Sequence, residues 1–163
     1  MTGFIVRKAT IDDAAMAVVV MRASITELCV ADHHDDPATL ARWLRNKTTH
    51  HFAEWLANPD NHILVAEEGA ELSGVASLNR SGELNLCYIR PGRQRCGIGG
   101  ALLLTLEAQA QLWNLDEIRL VSSSGGRAFY ERHGYTSAGA PQAHYGVLID
   151  YPYAKVLRKI ADG

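Results

Sequence analysis

Residues 94–100 read "QRCGIGG" and lie between an apolar, β-prone stretch and a long run with helical spacing. Gly97, Gly99 and Gly100 remove side chains where backbone N–H groups would otherwise be shielded. In the first turn of the following helix, N–H groups have no intrahelical partner, and the helix dipole adds partial positive charge. A bend of this composition at that place is an anion site suited to phosphate or pyrophosphate. Arg93 and Arg95 add local positive charge, either as phosphate contacts or as solvated loop charges.

Two common nucleotide loops do not fit. A triphosphate loop needs G-x-x-x-x-G-K-[S/T], and no Lys-Ser or Lys-Thr follows the bend. A dinucleotide fingerprint needs G-x-G-x-x-G, and after Gly97 and Gly99 the third glycine position holds Leu102. Covalent catalysis has little support either. Ser122, Ser123, Ser124, Cys29, Cys87 and Cys96 are potential nucleophiles, but each needs a base oriented by a third group, and nothing local supplies one. The stretch "CVADHHDDP" (29–37) is dense in ionisable groups. Neighbouring His33 and His34 diverge, so no metal is expected there.

The elements that position these residues follow from period and punctuation. "FIVRKA" (4–9) reads as a strand, and Thr10 three residues before Asp13 resembles a capping box. Helices are expected over 14–29, from Pro37 after the Asp36 cap, and over 49–57. The period then changes. Segments 62–68, 72–80 and 83–90 are strand-like with tight turns between them, an antiparallel meander. After the bend come a helix over about 98–114, a strand at 117–123, a short helix at 125–133 and a last strand within 145–157. The expected order is β-ααα-βββ-α-β-α-β, an α/β sheet covered by helices.

Composition sets outer bounds. The chain has 163 residues, 47% apolar and 21% charged, which suits one globular domain over 1–163. A net charge of -2 argues against a general nucleic-acid binder, so an anion site must rely on local charge. Three cysteines without regular spacing offer no disulfide framework. With neither an apolar leader nor a membrane-length run, the expectation is a soluble cytoplasmic protein with no membrane partner.

The bend satisfies a third pattern, Q/R-x-x-G-x-G/A between strand and helix, through Gln94, Gly97 and Gly99. With "RP" before it, "ALL" after it and "FYERHGY" at 129–135, the chain resembles the GCN5-related N-acetyltransferase (GNAT) family over nearly its full length. The resemblance implies the acyl-coenzyme A N-acyltransferase fold, a mixed, mostly antiparallel sheet flanked by helices. It also implies acetyl-coenzyme A (acetyl-CoA) as cosubstrate. The plain alternative is a structural glycine bend before an ordinary amphipathic helix.

In that family the strand before the bend splays from its neighbour and pairs with the pantetheine arm. Here this falls on 86–89 and places Cys87, Tyr88 and Ile89 at the cofactor. The pyrophosphate falls on the N–H groups of Arg95, Cys96, Gly97, Ile98, Gly99 and Gly100, behind Gln94. Tyr130 aligns with the tyrosine that protonates the departing thiolate; a phenol with an ordinary pKa near 10 stays protonated at neutral pH. Its alternative is core packing. Ser123 stands where the family often places an asparagine on the pantetheine, and it reads equally as a helix cap.

The resemblance implies direct transfer to an amine, with an oxyanion donor among the N–H groups near Tyr88 or Ile89. The amine must lose a proton, and Glu83 is the candidate base; Glu27, Asp32, His33, His34, His144 and Tyr145 are others. Glu83 also reads as a strand-edge charge, and the acidic loop as solvated. Trp43 and Trp55 read as core. The acceptor is a small-molecule or peptide amine, and a homodimer is a further expectation. A non-catalytic acyl-CoA sensor on the same fold is the competing function.

Overall fold

The computed structural model describes residues 3–158. β1 (Ile5–Lys8) runs through a 3₁₀ turn (Ile11–Asp13) into α1 (Ala14–Leu28), α2 (Val30–His33), α3 (Pro37–Leu44) and α4 (Thr49–Ala57). Then come β2 (Asn61–Glu68), β3 (Glu71–Asn79), β4 (Leu84–Ile89), α5 (Ile98–Leu112) and β5 (Glu117–Ser122). The chain continues with α6 (Arg127–Arg132), β6 (Thr136–Ser137), β7 (Gln142–Ala143) and β8 (Ile149–Val156). The expected order is present, with α2, β6 and β7 added. Those elements have four, two and two residues, too few to repeat a hydrophobic period. The last strand starts at Ile149 because Gly146, at φ 53°, turns the chain just before it. No helix among the described residues is long and apolar enough to cross a membrane.

Strands β1-β2-β3-β4 form one antiparallel sheet; β5-β8-β6 form a second, with β7 also on β8. The sheets meet where the Arg119 N–H donates to the Gly82 carbonyl at 2.8 Å, beside a parallel bridge between Glu83 and Arg119. No further ladder joins β4 to β5 among the described residues, so a cleft opens between them.

Alternation along β2 divides the core. Leu64 and Ala66 join Leu102, Leu103 and Leu106 of α5 on one face, whereas Ile63 and Val65 join Met21 of α1 and Phe52 of α4 on the other. Burying each α5 leucine contributes roughly 1.5–3 kcal/mol. That outweighs the helix cost of Gly99 and Gly100, about 1 kcal/mol apiece. In β4 the alternation breaks: Leu84 and Leu86, two residues apart, lie on opposite faces. The pairing register shifts there, with Leu86 opposite Ser77 and Leu84 opposite Leu78, so Asn85 is a bulge. The bulge sends Cys87 and Ile89 to the α5 face and Tyr88 to the α1 face.

The entry to α1 is fixed by charge. Asp13 accepts the Thr10 N–H at 2.7 Å and two bonds from Arg7 at 2.8 Å, while Arg7 Nε donates to Glu67 at 2.7 Å. Hydrogen bonding from Arg7 holds the Asp13 carboxyl below the usual carboxylate range, against the opposing effect of burial. A depressed folded pKa means stabilisation that is present above the unfolded value, near 3.9, and is lost as pH falls through the folded one. Asp13→Asn is expected to lower the unfolding free energy by roughly 1–2 kcal/mol at neutral pH. Urea denaturation should show the gap to the parent protein closing as pH falls below the unfolded value and through the folded one.

Candidate active site

The bend is held by its own side chains and by the β2–β3 hairpin. The Arg90 N–H donates to the Ser73 carbonyl at 2.9 Å, the last bond of β4 to β3. Gln94 accepts the Gly92 N–H at 2.6 Å and so braces the turn. Arg93 donates twice to Glu68, at 2.8 and 2.7 Å, and Arg90 pairs with Glu71. Arg93 is therefore a clamp on the bend. Arg95 makes no ion pair among the described residues, so its guanidinium is the charge at the bend left to meet an anion. It sits at φ 61°, in the left-handed region that non-glycine residues rarely adopt.

The glycines have separate reasons. Gly97 is the N-cap of α5 at φ 84°, and a Cβ there would meet open space, so its backbone conformation sets the choice. The first helical bond runs from the Ala101 N–H to the Gly97 carbonyl at 3.1 Å, leaving the N–H groups of Ile98, Gly99 and Gly100 without an intrahelical acceptor. Gly99 and Gly100 seat α6: a Cβ at Gly99 would lie 3.0 Å from Phe129 Cε1, and one at Gly100 3.0 Å from His133 Nε2. Cys96 is exposed and turns back to the Gln94 carbonyl at 3.5 Å; the Ile98 side chain is buried against the sheet.

Parity decides which backbone groups of β4 face the cleft. Since Arg90 donates to β3, Tyr88 faces β3 as well, and Cys87 and Ile89 turn their N–H and C=O toward the open side. This corrects the expectation for Tyr88: its backbone belongs to the ladder. Tyr130 is buried on the same face as Cys87 and Ile89, edge-on to Phe129 and Tyr135 at 5.1 and 5.8 Å. Burial pushes the Tyr130 phenol well above its ordinary pKa, and the neighbouring Cys87 thiol adds to this. Burial likewise pushes Cys87 up to about 11, with the Tyr130 hydrogen bond opposing. Ser123 Oγ accepts the Gly126 N–H at 3.2 Å, so its hydroxyl is engaged at the start of α6.

Glu83 is not brought to this group. It lies at the closed end of the cleft, exposed, 3.8 Å from Arg119. It lies four positions before Cys87, roughly 13 Å of extended chain.

On the opposite face of β4, Trp43 Nε1 donates to the Tyr88 hydroxyl at 3.3 Å, so Trp43 is half-buried with its polar edge engaged where plain core packing was expected. Burial raises the Tyr88 phenol, with the Trp43 bond opposing, and Cys29 and Tyr145 are within electrostatic reach. Burial pushes Cys29 up to about 12, with Asp32 contributing. The buried Asp32 accepts the Ser124 N–H at 2.7 Å. His33 is buried with both ring nitrogens engaged: Nε2 bonds the Ile25 carbonyl and Nδ1 accepts the Asp35 N–H, each at 3.0 Å. Nε2 must therefore carry the proton, and no lone pair remains for base work. His34 is exposed. His144 bonds Asp150 at 2.5 Å, and Arg42 lies over the Tyr145 ring at 4.5 Å. The Asp32–Ser124 contact had no sequence signal, because one partner is a backbone group 92 positions away.

The acetyltransferase (GNAT) domain family matches residues 8–157. An uncharacterised N-acetyltransferase of Mycobacterium tuberculosis is 30% identical over 118 residues, covering 68% of this chain and 76% of the relative. A GCN5-related N-acetyltransferase from Rhodopseudomonas palustris superposes with a TM-score of 0.84 at 21% identity, covering 96% of this chain and 98% of that one. The PaiA N-acetyltransferase of Thermoplasma acidophilum, solved with coenzyme A, gives 0.78 at 23% identity, covering 94% and 99%. A family match that spans nearly all of the described fold settles the membership: the chain belongs to the GNAT acetyltransferase family.

Proposed function

We propose that this acetyltransferase moves the acetyl group of acetyl-CoA directly to a primary amine of a small molecule or peptide. The observation that carries the reading is the buried Tyr130 hydroxyl set against the part of β4 whose cleft-side edge pairs with no strand among the described residues. The PaiA enzyme solved with coenzyme A supports the donor assignment.

In this reading the pantetheine amides pair with the free backbone of Cys87 and Ile89. The pyrophosphate lies on the N–H groups from Arg95 to Gly100, with the Arg95 guanidinium beside it and Gln94 bracing the turn. The amine, once deprotonated, attacks the thioester carbonyl carbon, and the oxyanion accepts a hydrogen bond from a cleft-facing N–H of β4 that the pantetheine amides leave free. Collapse breaks the C–S bond, the nitrogen sheds its remaining extra proton to water, and Tyr130 supplies a proton to the leaving sulfur.

Thermal-shift titration and coenzyme A release across an amine panel test this. Acetyl-CoA should raise the melting temperature, and at least one primary amine should release coenzyme A. Stabilisation by ATP or NAD but not acetyl-CoA would overturn the donor assignment. Tight acetyl-CoA binding with no turnover on any amine would favour a non-catalytic acyl-CoA sensor.

A further inference from the structure

We infer that Asp32 is the acceptor-recognition residue, its second carboxylate oxygen receiving the ammonium group of a cationic amine substrate. The inference rests on the acyl-transfer reading above and names the acceptor class for it.

Asp32 is 6% exposed. One oxygen accepts the Ser124 N–H at 2.7 Å; the other, Oδ2, is buried with no hydrogen-bond partner among the described residues. Asp32 also makes no ion pair among them. A buried carboxylate oxygen left unpaired is destabilising, and a fold that needed only the Ser124 contact could use a neutral amide there. An N–H donor that arrives with a ligand satisfies the missing bond, and a cationic one satisfies the charge as well.

The position suits an acceptor. Ser124 follows Ser123 at the end of β5, beside the open cleft. Asp32 reaches that loop from α2 and influences Cys29, which in turn lies near Tyr88. Trp43, Tyr88 and Tyr145 gather on this side of β4. A carboxylate with aromatic side chains nearby is the chemistry that recognises an organic ammonium ion, and the ring of the adjacent His33 lies 6.2 Å from that of Trp43. Arg42 already covers the Tyr145 ring, which leaves the Asp32 end as the seat for the positive charge. The role is anchoring. Between a simple alkylammonium and a simple carboxylate, proton transfer is unfavourable by about six orders of magnitude.

Asp32→Asn tests the assignment, since asparagine keeps the shape and still accepts the Ser124 N–H. With 1,4-diaminobutane and a free-N-terminus tripeptide amide as probes, calorimetry in the presence of coenzyme A should show amine Kd rising at least about 30-fold. Acetyl-CoA affinity should stay within about twofold, and an aniline, uncharged at neutral pH, should bind parent and variant alike. The melting temperature should hold or rise, because an unpaired buried charge has gone. A purely structural Asp32 would instead lower the melting temperature and leave the cationic Kd values unchanged. Equal Kd values, or no binding of either cation to the parent protein, overturn the assignment. Absence of amine turnover by a parent protein that still binds the cations through Asp32 overturns the acyl-transfer reading alone.

Discussion

Tyr130→Phe is expected to lower kcat for acetyl transfer roughly 100-fold, with acetyl-CoA affinity changed less than about twofold. The substitution keeps the ring that packs on Phe129 and Tyr135 and removes only the hydroxyl set against Cys87. Folding should change little, by about 1 kcal/mol or less, since the lost partner is a weak thiol acceptor. An ordinary phenol is already a weaker acid than a thiol by about 1.5 pK units, so giving a proton to a solvated thiolate is uphill. In a dry cleft the comparison changes, because a bare thiolate loses its hydration and a positioned donor replaces it. Burial holds the phenol protonated across the working range, so the rising limb of the pH–rate profile belongs to other groups. The variant should keep that limb in place at reduced height. Steady-state kinetics against pH check both statements, and parental turnover would remove Tyr130 from the mechanism.

Gly99→Val is expected to weaken acetyl-CoA binding at least about tenfold and to lower kcat as well. Valine here adds bulk 3.0 Å from Phe129 Cε1 and 3.2 Å from Phe129 Cζ. A β-branched side chain has few rotamers with which to avoid that ring. The ring must move, and with it the helix that carries Tyr130. The same bulk crowds the N–H groups of the first turn of α5. Gly97→Ala differs: nothing crowds its Cβ, and its cost is the left-handed backbone, about 1–2 kcal/mol. Adding Phe129→Ala to Gly99→Val should restore part of the affinity. Isothermal titration with acetyl-CoA decides, and unchanged affinity in Gly99→Val would refute the phosphate assignment.

Much of the scaffold was readable because it is written locally. The change from helical to alternating period marks the meander, and Gly97 with Gln94 marks the bend. What escaped depends on partners distant in sequence. Arg93 reads from the sequence as a phosphate contact or a solvated charge, and it is neither, because Glu68 takes it. Gly99 and Gly100 looked like bare backbone, yet their neighbours are Phe129 and His133. Glu83 reads from the sequence as either a base or a strand-edge charge, and its end of the strand is where the two sheets touch. Trp43 at helical spacing looked like core, but α3 carries it to Tyr88. Asp32 was one of several ionisable residues in its loop until its contact with Ser124 set it apart from the engaged His33 and the exposed His34.

The alternation that follows Asn85 has an evolutionary corollary. Because β4 turns Cys87 and Ile89 one way and Tyr88 the other, adjacent codons report to different customers. In the proposed reading, substitutions at 87 and 89 act on the acyl donor's side, and those at 88 on the amine's. Their effects on the two affinities should then be nearly additive, so a lineage can exchange its acceptor without retuning its donor. Deleting Asn85 should leave this division in place, because Leu84 and Leu86 already pair with the neighbouring Leu78 and Ser77, and a strand without the bulge would simply alternate.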